Sequence, residues 1–242
     1  MQTSMHESQM VHRHGANVLQ KSSEFLLTHQ LLLMCGIASS VLYVAMNVFI
    51  PIQWDSYDAA SQTISELSAI DAPTRPLWVG LGFGYSLLLT AFGWGVWKSA
   101  RSSRCLRTVA VVLIIDGLLS FGWPPMHQRP VLAAGGGTVT DTMHIVWSVA
   151  TVVLMMLAVG FASLAFGKKF RLYSFATMAV LLSFGLLTGM DAPRVQANLP
   201  TPWLGVWERI CVFADMLWVA VLAITLLRNT REDAQAQPSS GR

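Results

Sequence analysis

Six stretches of this chain are apolar over the length needed to cross a lipid bilayer: roughly 30–52, 77–97, 108–125, 143–166, 172–190 and 204–227. A spanning helix takes about 20 mostly apolar residues, because the hydrocarbon core is ~30 Å thick and each helical residue rises ~1.5 Å. Hydrocarbon offers no partner to a backbone N–H or C=O, so a crossing segment must satisfy those groups internally, as a helix does. A membrane β-barrel also satisfies them, but its strands alternate apolar and polar residues, and these runs do not. Only 12% of the 242 residues are charged against 53% apolar, about half the charge of an ordinary globular domain. In water such a chain would expose large apolar patches. The expected fold is an all-α integral membrane protein, a bundle of six transmembrane helices in one domain over 29–228. A polar N-terminal tail (1–28) and a disordered C-terminal tail (229–242) are expected to flank it.

Basic residues orient the bundle. Lys98, Arg101, Arg104 and Arg107 fall in one loop, Lys168, Lys169 and Arg171 in another; Arg13 and Lys21 precede the first span, and Arg228 and Arg231 follow the last. The opposite side holds Arg75, Arg129, Arg194 and Arg209. The positive-inside rule then places both termini in the cytoplasm. Trp54, Trp78, Trp123, Trp147, Trp203 and Trp207 gather near the outer boundary and Trp94 and Trp97 near the inner one, as an interfacial aromatic belt does. The net charge of +3 is too small to point to nucleic acid, and the expected partner is the lipid bilayer. Cys35, Cys105 and Cys211 have neither metal-site nor disulfide-framework spacing. The first 28 residues lack the apolar core and cleavage site of a signal peptide, and His6, His12 and His14 read as scattered tail residues. Gly80 with Gly84, and Gly36 with Ser40, have the small-xxx-small spacing that lets helices approach closely.

The outer loops concentrate the chemistry. The first contains "SQTISELSAIDAPTRP", the second "WPPMHQRPVLAAGGGTVTDTMH", the third "GMDAPRVQANLPTPWLGVWER". "IDAPTRP", "PMHQRP" and "MDAPR" echo one another, either as copies of one unit or as shared use of proline and charge at a boundary. Asp141 and His144 lie one helical turn apart at the mouth of the fourth span, with Ser148 a turn deeper. His127 follows "WPP" at the end of the third. Two readings compete. His127, His144 and Asp141 are candidates to hold a divalent metal that activates water. Without metal, His144 is a candidate general base oriented by Asp141, with His127 and Glu66 nearby. Arg75 and Arg129 are candidate ligand contacts. The plainer account is structural: "TISE" fits a capping box of Thr63 and Glu66, and Asp141 or Thr140 suits an N-cap.

Two acids lie within apolar runs: Asp116 in "VAVVLIIDGLLSFGW" and Asp215 in "RICVFADMLWVAVLAI". A charged Asp at the centre of a spanning helix costs about 2.5–3.5 kcal/mol on insertion scales, so both call for an explanation. They are candidates for a proton or cation relay or a polar substrate pocket. The alternative is two protonated carboxylic acids hydrogen-bonded to neighbours, with Asn47, Ser120 and Thr177 as available partners.

"SQTISELSA" after the first span, "GWPPMHQR" after the third and "TDTMHIVWS" opening the fourth resemble the bacterial membrane proteins grouped as domain-of-unknown-function family 998. The resemblance covers about residues 30–227 and maps to Ser65, Glu66, Leu67, Pro125, His127 and His144. It implies a multi-span protein of a bacterial cytoplasmic membrane and assigns no reaction. Three functions stay open. The first is binding or transport of a lipid or small solute, supported by Asp116 and Asp215 at the depth where transporter sites lie. The second is a membrane hydrolase with an outer-face His and carboxylate site. The third is an accessory subunit without chemistry.

Overall fold

The computed structural model describes residues 2–236, excluding the side chains of residues 2–23, 25, 233, 234 and 236. His6, His12 and His14 fall outside the described side chains. The described residues form seven α-helices: α1 (Gln2–Phe49), α2 (Arg75–Ser99), α3 (Arg104–Phe121), α4 (Arg129–Ala133), α5 (Val139–Ala165), α6 (Lys168–Gln196) and α7 (Leu204–Ala236), with short 3-10 turns at Pro51–Gln53 and Ile64–Ser68. There is no strand among the described residues. The helix of α1 runs back through residues read from sequence as a tail, and α7 runs forward to Ala236.

Among the described residues five helices are long and apolar enough to cross a membrane: Leu26–Gln53, Arg75–Ser99, Val139–Ala165, Lys168–Gln196 and Leu204–Glu232. The sixth expected span is α3. It stops at Phe121 rather than 125, giving 18 residues that include Arg104, Arg107 and Asp116. Its early end follows from Pro124 and Pro125, which disfavour the helical region for the residue before a proline and cannot donate a backbone hydrogen bond. The fourth run starts earlier than the expected 143, at Val139.

The six long helices pack in a ring: α1 on α2, α2 on α3, α3 on α5, α5 on α6, α6 on α7, and α7 back on α1. The core at the end away from the polar loops is filled by Leu33, Leu89, Phe92, Val96, Val109, Val159, Trp218 and Leu222. Only 17% of the apolar window of α5 and of α6 is buried, against 39% for α2 and α7. Val149, Val153, Leu182 and Leu186 face outward, the apolar surface that acyl chains solvate.

Glycine sets the close approaches, though not at the expected pair on α2. A Cβ at Gly80 would meet nothing within 4 Å, and one at Gly84 only a Leu42 methyl at 3.5 Å. The tight contacts lie deeper. A Cβ on Gly93 would come within 2.9 Å of the Ile114 backbone N, and one on Gly117 within 2.8 Å of the Thr90 backbone N. These two glycines let α2 and α3 pack backbone to backbone. The expected pairing at Gly36 is an approach of a different kind, with the Phe92 ring lying against its Cα hydrogens.

At one end of the ring the loops before α2, around α4 and before α7 lock together. Ile70 N donates to Met126 O at 2.7 Å, Thr201 Oγ1 to Ser61 O at 2.8 Å, and Val206 N to Ala60 O at 3.3 Å. The three sequence echoes have different structures. Asp71 sits in a turn before α2 with φ of 63°, Arg129 opens α4, and Asp191 and Pro193 lie inside the last turns of α6. They are not copies of one unit.

Candidate functional site

The lid over the ring is built around Arg129. Its guanidinium donates to both Glu66 oxygens, from Nε at 2.8 Å and Nη2 at 2.8 Å, to Thr201 Oγ1 at 2.7 Å and to Ser61 O at 2.9 Å. One buried side chain thus ties all three loops. Glu66, 2% exposed, also closes the capping box with Thr63 that the sequence suggests. Both its oxygens are engaged, so Glu66 is a clamp, and its expected part in an acid or base step is not supported by this geometry. Arg209 fastens the other side, donating to Ala59 O, Gly205 O and the Tyr57 hydroxyl. A Cβ on Gly205 would collide with the carbonyls of Gln62 and Ala59. Asp58 caps the turn beneath, accepting from Ser61 Oγ and Ala60 N. These bonds, the Ser61 hydroxyl first, hold its carboxyl below the usual carboxylate range.

The expected trio of His127, Asp141 and His144 does not converge. Asp141 binds His127 through the backbone N at 2.7 Å and the ring Nδ1 at 2.9 Å. It also forms the capping box of α5 with Thr138, so Thr138 rather than Asp141 or Thr140 is the N-cap. Asp141 therefore fixes the second loop and does not orient His144. His144 points the other way, toward the ring interior. Its Nδ1 lies 2.7 Å from Pro124 O, and its Nε2 lies 3.0 Å from Ser65 Oγ. No group of three His, Cys, Asp or Glu side chains able to hold a metal occurs among the described residues.

Beneath the lid the ring holds a partly open cavity of about 330 Å³, bordered by the exposed side chains of Val79, Phe83 and Val152. All six long helices line it, through residues such as Tyr43, Trp78, Asp116, Thr151, Gly185 and Glu208. Its loop end carries Ser65, Ser68, Arg75 and Trp123; its walls are Val79, Phe83, Phe121, Val152 and Leu181. Arg75 lies in the cavity lining and also donates from Nη1 to Ser68 O, whereas Arg129 is absorbed by the lid. Glu208 joins lid and cavity: one oxygen accepts from Ile64 N at 2.6 Å, and its side chain lines the chamber.

Asp116 lies at the deep end, five residues, or about 8 Å of helix, below the end of α3. It is 6% exposed, and its Oδ1 has no hydrogen-bond partner; neither has the Thr151 hydroxyl oxygen. The partners expected from sequence are engaged elsewhere. Ser120 Oγ donates to the Asp116 carbonyl, Asn47 Nδ2 to Tyr43 O and Thr177 Oγ1 to Tyr173 O. Asp116, Tyr85 and Met155 also border a second, much narrower space of about 10 Å³, on whose wall Asp215 lies. The two membrane acids thus share one small chamber.

Sequence reasoning did not single out Glu208, Trp123, Tyr43 or Tyr85 as site residues. The adjacent Glu208 and Arg209 at the start of an otherwise apolar run were a usable signal. The two tyrosines had none, since an aromatic in a spanning helix reads as core.

Helices of this length and apolarity, packed in a ring, define a polytopic helical membrane protein. Within that class, residues 37–225 match the profile of the family described as Protein of unknown function (DUF998), and the chain belongs to that family. No curated protein and no solved structure matches it.

Proposed function

We propose that the protein binds an amphiphilic molecule, a lipid or small solute, in the chamber within its helix ring. The observation that carries this is a 330 Å³ cavity whose mainly apolar lining is interrupted by polar groups, with Arg75 at the loop end and Asp116 and Thr151 deeper. Such a volume lies in the range of small-molecule sites, about 300–1,000 Å³. A buried polar atom without a partner costs free energy, and Asp116 Oδ1 and Thr151 Oγ1 both belong to residues lining this chamber. A ligand group that donates to Asp116 offsets that cost. At the loop end, Arg75 is the one cationic residue in the described lining and suits an anionic or strongly polar headgroup.

In this reading α3 crosses as a sixth span, shielded by α2 and α5, the lid faces outward and both termini are cytoplasmic. The membrane is a bacterial cytoplasmic membrane. Transport, if coupled to protons, runs through Asp116 and Asp215.

Gly82 offers the test. It lines the cavity, and a Cβ there would meet nothing within 4 Å. Gly82→Phe fills the chamber without displacing backbone. Protein purified in mild detergent is analysed by native mass spectrometry for retained lipid. Wild type carries bound lipid and Gly82→Phe, equally folded, does not. Equal retention by both places the lipid elsewhere and refutes the proposal.

A further inference from the structure

Ser65, at the loop end of the chamber, meets His144 behind it in a geometry that suits nucleophilic catalysis. His144 Nδ1 lies 2.7 Å from Pro124 O. A carbonyl oxygen only accepts, so at that distance Nδ1 carries the proton. The Trp123 indole N–H also points at Nδ1, at 3.2 Å; since an indole N–H only donates, that contact calls for the opposite tautomer. We assign the tautomer from the shorter contact, and the indole packs edge-on against the imidazole with centroids 5.6 Å apart. Nε2 is then bare, and the Ser65 hydroxyl, 3.0 Å away, donates to it. A serine hydrogen-bonded to a histidine whose far nitrogen is held by a fixed acceptor is the nucleophile, base and orienter arrangement of acyl-transfer enzymes. Here the orienter is a backbone carbonyl.

Three further observations favour chemistry over packing. Ser65 lines the 330 Å³ cavity and is only half-buried, while His144 is 6% exposed. The 3-10 turn carrying Ser65 is held on three sides, by the Thr63–Glu66 capping box, by Arg129 on Glu66 and by Glu208 on the Ile64 N–H. That rigidity is what a reacting group requires. The lining below is mainly apolar, through residues such as Val79, Phe83 and Leu181, and Arg75 in the same lining places one cation in the chamber.

We infer that Ser65 is a nucleophile, with His144 as its general base, for cleaving a carboxylic ester of a long-chain amphiphile held in this cavity. The inference rests on the lipid-binding reading. Ser65 Oγ adds to the ester carbonyl carbon as its proton passes to His144 Nε2. The tetrahedral adduct collapses by breaking the carbon–oxygen bond to the alcohol, which leaves with the proton from Nε2. Water then adds to the Ser65 ester and gives a proton to Nε2. Collapse releases the carboxylic acid, and Ser65 Oγ recovers its proton. One ester and one water yield one acid and one alcohol.

The experiment uses the full chain in mild detergent and a long-chain alkyl fluorophosphonate, which a competent serine attacks with loss of fluoride. Peptide mass spectrometry locates the adduct, and retained lipid is measured on the same samples. Wild type is labelled at Ser65. Ser65→Ala is not labelled, Ser61→Ala is labelled like wild type, and His144→Asn slows labelling at least about 100-fold, the smaller end of a general-base contribution. Should Ser65→Ala not fold, the rates of wild type and His144→Asn decide, and equal rates overturn the inference. Retained lipid with no adduct at Ser65 refutes the nucleophile and leaves the binding reading standing. Absence of both lipid and adduct refutes both.

Discussion

Arg129→Met tests whether one buried cation holds the lid together. Met keeps the length of an unbranched chain and removes the charge and all donors. The side chains of Arg129 and Glu66 are 10% and 3% exposed, so solvent screens the pair little. Breaking a buried pair from one side costs about 3–5 kcal/mol, because the remaining charge is stranded. Glu66 keeps its bonds from Thr63 N, Thr63 Oγ1 and Gln62 Nε2, which argues for the lower end, about 3 kcal/mol. The assay is reversible unfolding in mixed micelles titrated with a denaturing detergent, followed by tryptophan fluorescence. The double variant Glu66→Gln, Arg129→Met removes the stranded charge as well. Its loss falls short of the sum of the single losses by about 1–3 kcal/mol, as for groups in one network. A loss below about 1 kcal/mol for Arg129→Met, the range of an exposed pair, or strict additivity, refutes the clamp.

The remaining predictions concern packing, orientation and metal. Gly117→Ala forces a methyl against the Thr90 backbone and costs about 1–3 kcal/mol. Gly80→Ala, open on all sides, is neutral or gains up to about 1 kcal/mol of helix propensity, both read in the same unfolding assay. With Cys35, Cys105 and Cys211 replaced, a single cysteine at Ser61 reacts with an impermeant thiol reagent added outside intact cells and one at Ser103 does not; the reverse pattern overturns the orientation. With His6, His12 and His14 replaced, His127→Ala changes neither metal content by elemental analysis nor the unfolding response to a chelator. Stoichiometric metal lost in that variant restores the metal reading.

The helical architecture was legible because hydrocarbon imposes one rule on the backbone, and runs such as 143–166 and 172–190 answer it over their whole length. The boundary of the third span was less so: the apolar run continues to 125, but Pro124 and Pro125 end the helix at Phe121. Spacing found the Thr63–Glu66 cap, since a capping box is local. It misassigned the partner of Asp141, because His127 and His144 are equally available in sequence and only the fold of the second loop chooses between them.

The same distinction explains what the site uses. The most conspicuous signals in the loops, Glu66, Asp141 and Arg209, turned out to hold the loops themselves. The lid is required because six helices in a ring do not fill their own centre at the end where the loops join them. Each charged group spent on closing the lid leaves the chamber less polar, and the residues that face it were less conspicuous: a serine in "TISELS", a tryptophan before two prolines and an aspartate in an apolar run. His144 joins the two systems, rising from α5 to reach the second loop at Pro124 and the first at Ser65. A substitution there disturbs both lid and chamber, so slowed labelling of a His144 variant counts for the base only in protein that unfolds like wild type.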